Sequence, residues 1–165
     1  MLPEYRQLLD KAREKRQETR QYFARLRRKP PRTLDETVAE IHEAVFADTD
    51  CLACANCCKT TSPVFTDQDI ARIAQYLRLR PAALVAAHLH LDGDGDYVLN
   101  TAPCTFLAPD NRCLIYEVRP RACRGYPHTD RKRFHQLLDL TLKNTEICPA
   151  TQRIVEQLKA VLPLK

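Results

Sequence analysis

Inward-facing positions recur at three- and four-residue steps along the first 28 residues, at Leu2, Tyr5, Leu9, Ala12, Thr19, Phe23 and Leu26, with Arg16 interrupting the stripe. That spacing predicts one long amphipathic helix over 2–28, and its weak middle favours packing on the rest of the chain over a coiled coil. Lys29-Pro30-Pro31 ends it. Thr33 with Glu36 three residues on predicts a capping box for a second helix that turns Leu34, Val38, Ile41 and Val45 inward. Pro63 and Thr66-Asp67-Gln68-Asp69 start a third helix with Ile70, Ile73, Ala74 and Leu77 inward. Arg80-Pro81 breaks that helix ahead of a short one over Ala82–Leu89. Further on, Asp92-Gly93-Asp94-Gly95-Asp96 leads into a strand over Tyr97–Asn100. Residues 101–128 carry no period and read as irregular, Phe134–Leu142 reads as helical, and Pro149 opens a last helix with Ile154, Leu158 and Val161 inward.

The predicted fold is therefore mainly α with a small β-hairpin, its helices arranged around a metal-stabilised, irregular, cysteine-rich core. At 165 residues the chain suits one domain. A domain of that size buries about 70% of its unfolded surface, so metal would organise a part of it and not the whole. Within that single unit the expected division is an N-terminal basic α-hairpin over 1–48, packed on the body, and a cysteine-cluster metal-binding domain over 49–165.

Charge sharpens the division. Residues 1–33 hold 11 basic and 4 acidic side chains, against 15 and 17 in the remainder. Glu4, Asp10, Glu14 and Glu18 interrupt the basic arm at helical spacing, which marks a solvated helix face, and nucleic acid is not expected as a partner. The N-terminus carries charges every few residues and no apolar segment, so neither a secretory signal nor a membrane span is expected. The expected location is the cytoplasm, where thiols stay reduced.

Eight cysteines carry the chemistry: Cys51, Cys54, Cys57 and Cys58 in one run, then Cys104, Cys113, Cys123 and Cys148 singly. Thiolates two residues apart converge on one centre across a tight turn. Adjacent Cys57 and Cys58 are expected to diverge, one ligating beside a structural thiol or the two bridging separate centres. Pro109-Asp110 is turn chemistry that returns Cys113 toward Cys104. Buried, unligated thiols in such number would be an oxidation hazard. The alternating aspartates at 92–96 fail as a calcium loop, since Tyr97 stands where glycine is needed and Pro103 where glutamate is needed. With three glycines, Gly93, Gly95 and Gly125, neither a dinucleotide fingerprint nor a phosphate loop can be drawn.

The run Cys51-x2-Cys54-x2-Cys57-Cys58, then Pro103-Cys104-Thr105-Phe106-Leu107, Cys113-Leu114-Ile115-Tyr116, and Arg119-Pro120-Arg121-Ala122-Cys123-Arg124-Gly125-Tyr126-Pro127 resemble the YkgJ-type cysteine-cluster (CxxCxxCC) family over about residues 50–150. The resemblance implies chelation of zinc or iron by the eight cysteines and assigns no activity. Four thiolates in tetrahedral array suit zinc, two such sites would use all eight, and the three-cysteine spacing with remote Cys148-Pro149 is also similar to a ferredoxin's four-iron ligand set. Zinc or iron, an iron–sulfur cluster included, is thus the expected cofactor. Its role is structural, storage or delivery, with an iron–sulfur redox or transferase-type enzyme as the alternative.

Arg119 and Arg124 flank Cys123 and are candidates to offset the charge of the thiolates from outside the ligand set. Tyr116 and Tyr126 are expected as core packing and His88 and His90 as surface residues; His128 alone among the histidines merits a test as a ligand. Whether the protein is an enzyme, and whether it has a protein partner besides the metal, stays open.

Overall fold

In the computed structural model, which describes residues 1–164, the chain is mainly helical with one two-stranded antiparallel hairpin. In chain order the helices are α1 (Pro3–Glu14), α2 (Arg16–Arg28), α3 (Leu34–Phe46), α4 (Cys51–Cys54), α5 (Asn56–Thr60), α6 (Asp67–Tyr76) and α7 (Pro81–His88). Strands β1 (Leu89–Leu91) and β2 (Tyr97–Leu99) follow, then α8 (Arg121–Arg124), α9 (Leu138–Thr145) and α10 (Pro149–Val161), with short 3-10 turns at Tyr116–Val118 and Phe134–Gln136. The chain folds into two compact units, Met1–Cys54 together with everything from Pro127 onward, and Ala55–Tyr126. No helix among the described residues is long and apolar enough to cross a membrane.

The first unit is a helical assembly around Phe23, Leu26, Val38, Val45, Phe134, Leu138, Ile154 and Leu158, all nearly or wholly buried. The N-terminal stripe is realised as two helices. Lys15, at φ −90° and ψ 6°, separates them, although backbone bonds from Lys15 to Lys11 and from Thr19 to Lys15 keep the chain close to helical. The halves pack differently: α1 lies on α10, while α2 lies on α9 and also reaches α10 through Tyr22 to the Leu158 carbonyl and Lys159 to Thr19. Lys15 reaches Glu156 at 2.8 Å and Arg16 pairs with Glu146, so both polar residues at the break are bound outside the stripe. Tyr5, Leu9, Ala12, Thr19, Phe23 and Leu26 are buried as their spacing predicts, but Leu2 is exposed, lying ahead of the first turn.

The capping box expected at Thr33 does not form. Thr33 sits at φ −87°, ψ 5°, outside the extended region a capping side chain requires, and makes no cap bond. Its neighbour Asp35 instead accepts from the backbone N–H of Arg133 (2.6 Å) and of Phe134 (2.9 Å), anchoring the start of a 3-10 turn almost a hundred residues away. Val161 departs from expectation too, since it lies exposed where α10 outruns the core, while Ile154 and Leu158 are fully buried.

In the second unit Thr66 and Asp69 form a reciprocal capping box at the start of α6. Ile70, Ile73 and Ala74 then pack with Phe65, Leu84, Leu89, Leu99, Phe106 and Ile115 in a core of their own. The hairpin pairs Leu89 with Leu99 and Leu91 with Tyr97. Its loop is closed by Asp92, whose carboxylate accepts from the N–H of Asp94 and of Asp96, both at 2.9 Å, so the alternating aspartates are turn chemistry. Burying a Leu, Ile or Phe side chain stabilises by about 1.5–3 kcal/mol, and each unit has an apolar core of its own.

Candidate metal centre

None of the eight cysteines forms a disulfide, and they divide between the two units. In Ala55–Tyr126, a left-handed Ala55 (φ 49°) turns the chain into α5, which carries Cys57 and Cys58. Cys104 is fastened to α5 through its backbone N–H, which donates to the carbonyl of Cys58 at 2.8 Å. From Cys104 the chain runs through a Pro109-Asp110-Asn111 turn, closed by Ala108 N–H to the Arg112 carbonyl at 2.8 Å, with Asn111 at φ 66°. Leu107 bridges Cys113 in antiparallel pairing, so the turn returns the second thiol beside the first. Cys123 stands in α8, where its N–H donates to the carbonyl of Pro120 at 2.9 Å.

Burial and neighbouring thiols set the ionisation of this group. Burial pushes Cys104 and Cys113 up, and a thiolate at Cys58 raises both further. Cys123 is pushed up to about 12, first by burial and then by Cys58, Cys104 and Cys113, with the Arg119 guanidinium opposing. Cys58 moves the other way, down to about 7: the hydrogen bond from Cys57 outweighs its burial, and Lys59 assists. Cys104, Cys113 and Cys123 thus lie within electrostatic range of Cys58, whose own pKa is the one that is lowered.

Cys57 and Cys58 do not diverge as expected. Their sulfurs approach to 4.0 Å. Four sulfurs held about 2.3 Å from one zinc stand about 3.8 Å apart by tetrahedral geometry. Consecutive helical side chains can therefore present two sulfurs at a ligand-like separation, which spacing alone did not indicate.

The arginine block surrounds Cys123 through backbone contacts. Arg119 lies over the Tyr116 ring, 3.8 Å from its centroid, and donates to the Tyr116 carbonyl at 2.7 Å. Tyr116 is consequently exposed and not core packing, because its ring serves as the platform for a cation. Arg124 donates to the carbonyls of Arg119 and Glu117, both at 3.2 Å. Arg119 favours the thiolate at Cys113 and Cys123.

Asp69 and Arg72 were invisible as site residues in the sequence. The Asp69 carboxylate, 1% exposed, accepts from the Thr66 N–H (3.1 Å) and hydroxyl (2.8 Å), from Arg72, and from the N–H of Arg121 at the start of α8 (3.1 Å). Arg72 in turn donates to the carbonyls of Val118 (3.3 Å) and Arg119 (3.0 Å). The capping motif was a usable signal for Asp69. Nothing local marks a reach of 52 residues to the Cys123 segment.

The other unit holds Cys51, exposed at the start of α4, Cys54, buried at its end, and Cys148 ahead of α10. The Asp50 carboxylate caps α4 by accepting from Leu52 N–H (2.8 Å) and Ala53 N–H (3.1 Å). His90 is exposed, as expected. His88 is instead half-buried, its ring 5.2 Å from that of Phe106, and His128 is half-buried at φ 70°.

As the side chains stand, no three His, Cys, Asp or Glu among the described residues close as a ligand set. The donor chemistry nonetheless fits a thiophilic ion. Clustered, partly buried thiols whose ionisation is opposed by burial and by a neighbouring thiolate are the groups a cation would stabilise on ionising. Residues 50–149 match the model of the CxxCxxCC family, whose description reads "Putative zinc- or iron-chelating domain". No curated protein and no solved structure matches the chain.

Proposed function

The chain belongs to the CxxCxxCC family, and on that premise we propose that it is a metal-binding protein whose principal centre is made by Cys58, Cys104, Cys113 and Cys123. The observation that carries the reading is the backbone clasp from Cys104 N–H to the Cys58 carbonyl and the bridge that returns Cys113, which leave Cys104, Cys113 and Cys123 within electrostatic range of Cys58 in one compact unit. Cys58, with its lowered pKa, is the first sulfur to offer a thiolate, and the other three lose protons as the ion is bound. Closing the set takes side-chain rotations at these cysteines while the backbone clasp between Cys58 and Cys104 persists.

A set of sulfur donors selects zinc or an iron–sulfur cluster over hard cations. Zinc is the proposed ion, since four thiolates complete its tetrahedron, and such a centre supplies folding free energy and not reactivity. Four thiolates around a dication leave a charge of −2, which Arg119 is placed to offset. With the sulfur positions filled by protein, a scaffold, storage or delivery role in a reducing cytoplasm fits better than catalysis.

Elemental analysis of anaerobically purified protein, with thiols titrated before and after chelation, tests the reading. Zinc that disappears in Cys104→Ser and Cys123→Ser is the expected result. A charge-transfer band in the visible, with iron and sulfide in the protein, would replace zinc by an iron–sulfur centre and reopen the redox-enzyme alternative. Metal content unchanged in both variants would remove these cysteines from the ligand set.

A further inference from the structure

The excess positive charge of residues 1–33 has no role in the cysteine chemistry. The acids that interleave it, Glu4, Asp10, Glu14 and Glu18, all lie ahead of Thr19; from Thr19 to Thr33 the chain holds six cations and no acid. Folding neutralises part of this arm. Arg13 pairs with Asp10, Lys15 with Glu156, Arg16 with Glu146 and Arg27 with Asp139, while Arg25 donates to the Leu164 carbonyl. Arg28, Lys29 and Arg32, at the end of α2 and in the loop before α3, stay exposed and take no ion pair among the described residues.

The fold brings a second basic run to the same place. The Asp35 carboxylate, three residues past Arg32, accepts from the N–H of Arg133 at 2.6 Å and of Phe134 at 2.9 Å. Phe134, fully buried, opens the 3-10 turn that packs on both α2 and α3. Arg133 itself is held at φ 60°, in the left-handed region that a residue with a side chain adopts only where its surroundings impose it. Arg131, Lys132 and Arg133 are all exposed, and their side chains take no ion pair among the described residues. Six cations from segments joined across 98 residues of sequence thus lie beside the start of α3. The acids in the same segments are Asp35, engaged in the clasp, and Glu36 and Asp130.

The chemistry of this patch selects its ligand. Four of the six cations are arginines, whose planar fork meets phosphate oxygens two at a time. None of the large hydrophobic side chains exposed among the described residues falls within 28–36 or 130–136. The patch therefore offers nothing to insert into a lipid surface and no apolar anchor for a protein. Tyr22, Phe23 and Phe134 are buried, so these rings cannot stack on unpaired bases. What remains is recognition of a phosphodiester backbone whose bases stay paired.

We propose that Arg28, Lys29, Arg32, Arg131, Lys132 and Arg133 form a docking surface for double-stranded nucleic acid, contacted through its phosphates without regard to base sequence. The surface belongs to the helical unit, and its action does not depend on the metal.

The test is fluorescence anisotropy of a short labelled DNA duplex, and in parallel an RNA duplex and single-stranded oligo-dT of equal length, titrated with the full chain. Either duplex should bind more tightly than oligo-dT. For four to six phosphates neutralised, log K should fall against log salt with a slope of about −3.5 to −5.5, a loss of about 10²- to 10³-fold between about 50 and 200 mM. Arg32→Glu and Arg131→Glu, one in each segment, should each weaken duplex binding and reduce that slope by about 1. Lys132→Glu stands in for Arg131→Glu if circular dichroism shows the latter misfolded. Arg6→Glu makes the same charge change on the exposed face of α1 and should leave affinity near wild type. Equal weakening by Arg6→Glu would make the binding a response to net charge, and an effect confined to one segment would divide the patch. Oligo-dT bound as tightly as the duplexes, or phosphatidylserine vesicles bound while the duplexes are not, would give the surface to another ligand. Each of these results, and the absence of duplex binding at low salt, overturns the proposal while leaving the metal reading untouched.

Discussion

Replacing Asp69 with asparagine keeps the shape of the side chain at the node that fastens α8 to α6 and removes its charge. The carboxylate serves four donors while 1% exposed: two from Thr66, one from Arg72 and the backbone N–H of Arg121. Asparagine retains one acceptor oxygen and turns an amide N–H₂ toward donors. The contact with Arg72 loses its ion-pair component, about 1–2 kcal/mol, although the guanidinium remains a charged donor, and a donor left facing a donor costs about 1–3 kcal/mol more. Arg72 is one-third exposed and recovers part of this in water, so the expected net destabilisation of the second unit is about 3 kcal/mol. The pH dependence follows from the same contacts. Burial works to raise the Asp69 pKa, but the bonds from Thr66, Arg72 and Arg121 prevail and hold it below 3.8. A depressed folded pKa stabilises above the unfolded value and ceases to as pH falls through the folded value. The gap between wild type and D69N should thus be full at neutral pH and shrink only as pH falls below 3.8 toward the depressed folded value. Urea unfolding followed by circular dichroism at pH 7 and at stepwise lower pH measures it, and zinc competition shows whether α8 still presents Cys123. A gap under 1 kcal/mol at pH 7, or one that does not shrink at all as pH is lowered through the acid range, would refute the assignment of Asp69 as the charged clasp of the cysteine segment.

Glu156 lies between Lys15 and Lys159, whose hydrogen bonds outweigh burial and depress its pKa. Glu156→Gln should cost about 1 kcal/mol at neutral pH after allowance for solvent, with the difference fading below pH 4 in the same unfolding assay. Ile154→Ala empties a fully buried position in the first core and should cost about 2–5 kcal/mol without changing the metal content of refolded protein. Arg119→Gln removes the cation that favours thiolate at Cys113 and Cys123. It should weaken zinc affinity about 10- to 100-fold in chelator competition at unchanged stoichiometry, and an affinity equal to wild type would make the arginine a surface residue stacked on Tyr116. Arg119→Lys should restore charge but not the planar stack, and recover only part of that loss.

Local chemistry was enough to specify the helices, because their causes lie within a few residues. The stripe Tyr5–Leu26, the Thr66–Asp69 capping box, the proline starts of α7 and α10, and the Asp92 turn each act over one or two helical turns. The cysteine inventory was equally readable and pointed to thiolate chemistry before any fold was known. Three other matters were settled only in three dimensions. The N-terminal stripe became two helices that pack differently, α1 on α10 and α2 on both α9 and α10. Asp35, within α3, turns its carboxylate to the backbone of Arg133 and Phe134, while Thr33, at φ −87° and ψ 5°, makes none of the local cap bonds its spacing suggested. The thiols sorted between two units by which core each segment packs into, a question of apolar burial that cysteine spacing does not encode. Asp69 shows the physical reason most clearly: capping is a contact over three residues, but holding α8 is a contact over 52, and only the folded chain brings those ends together.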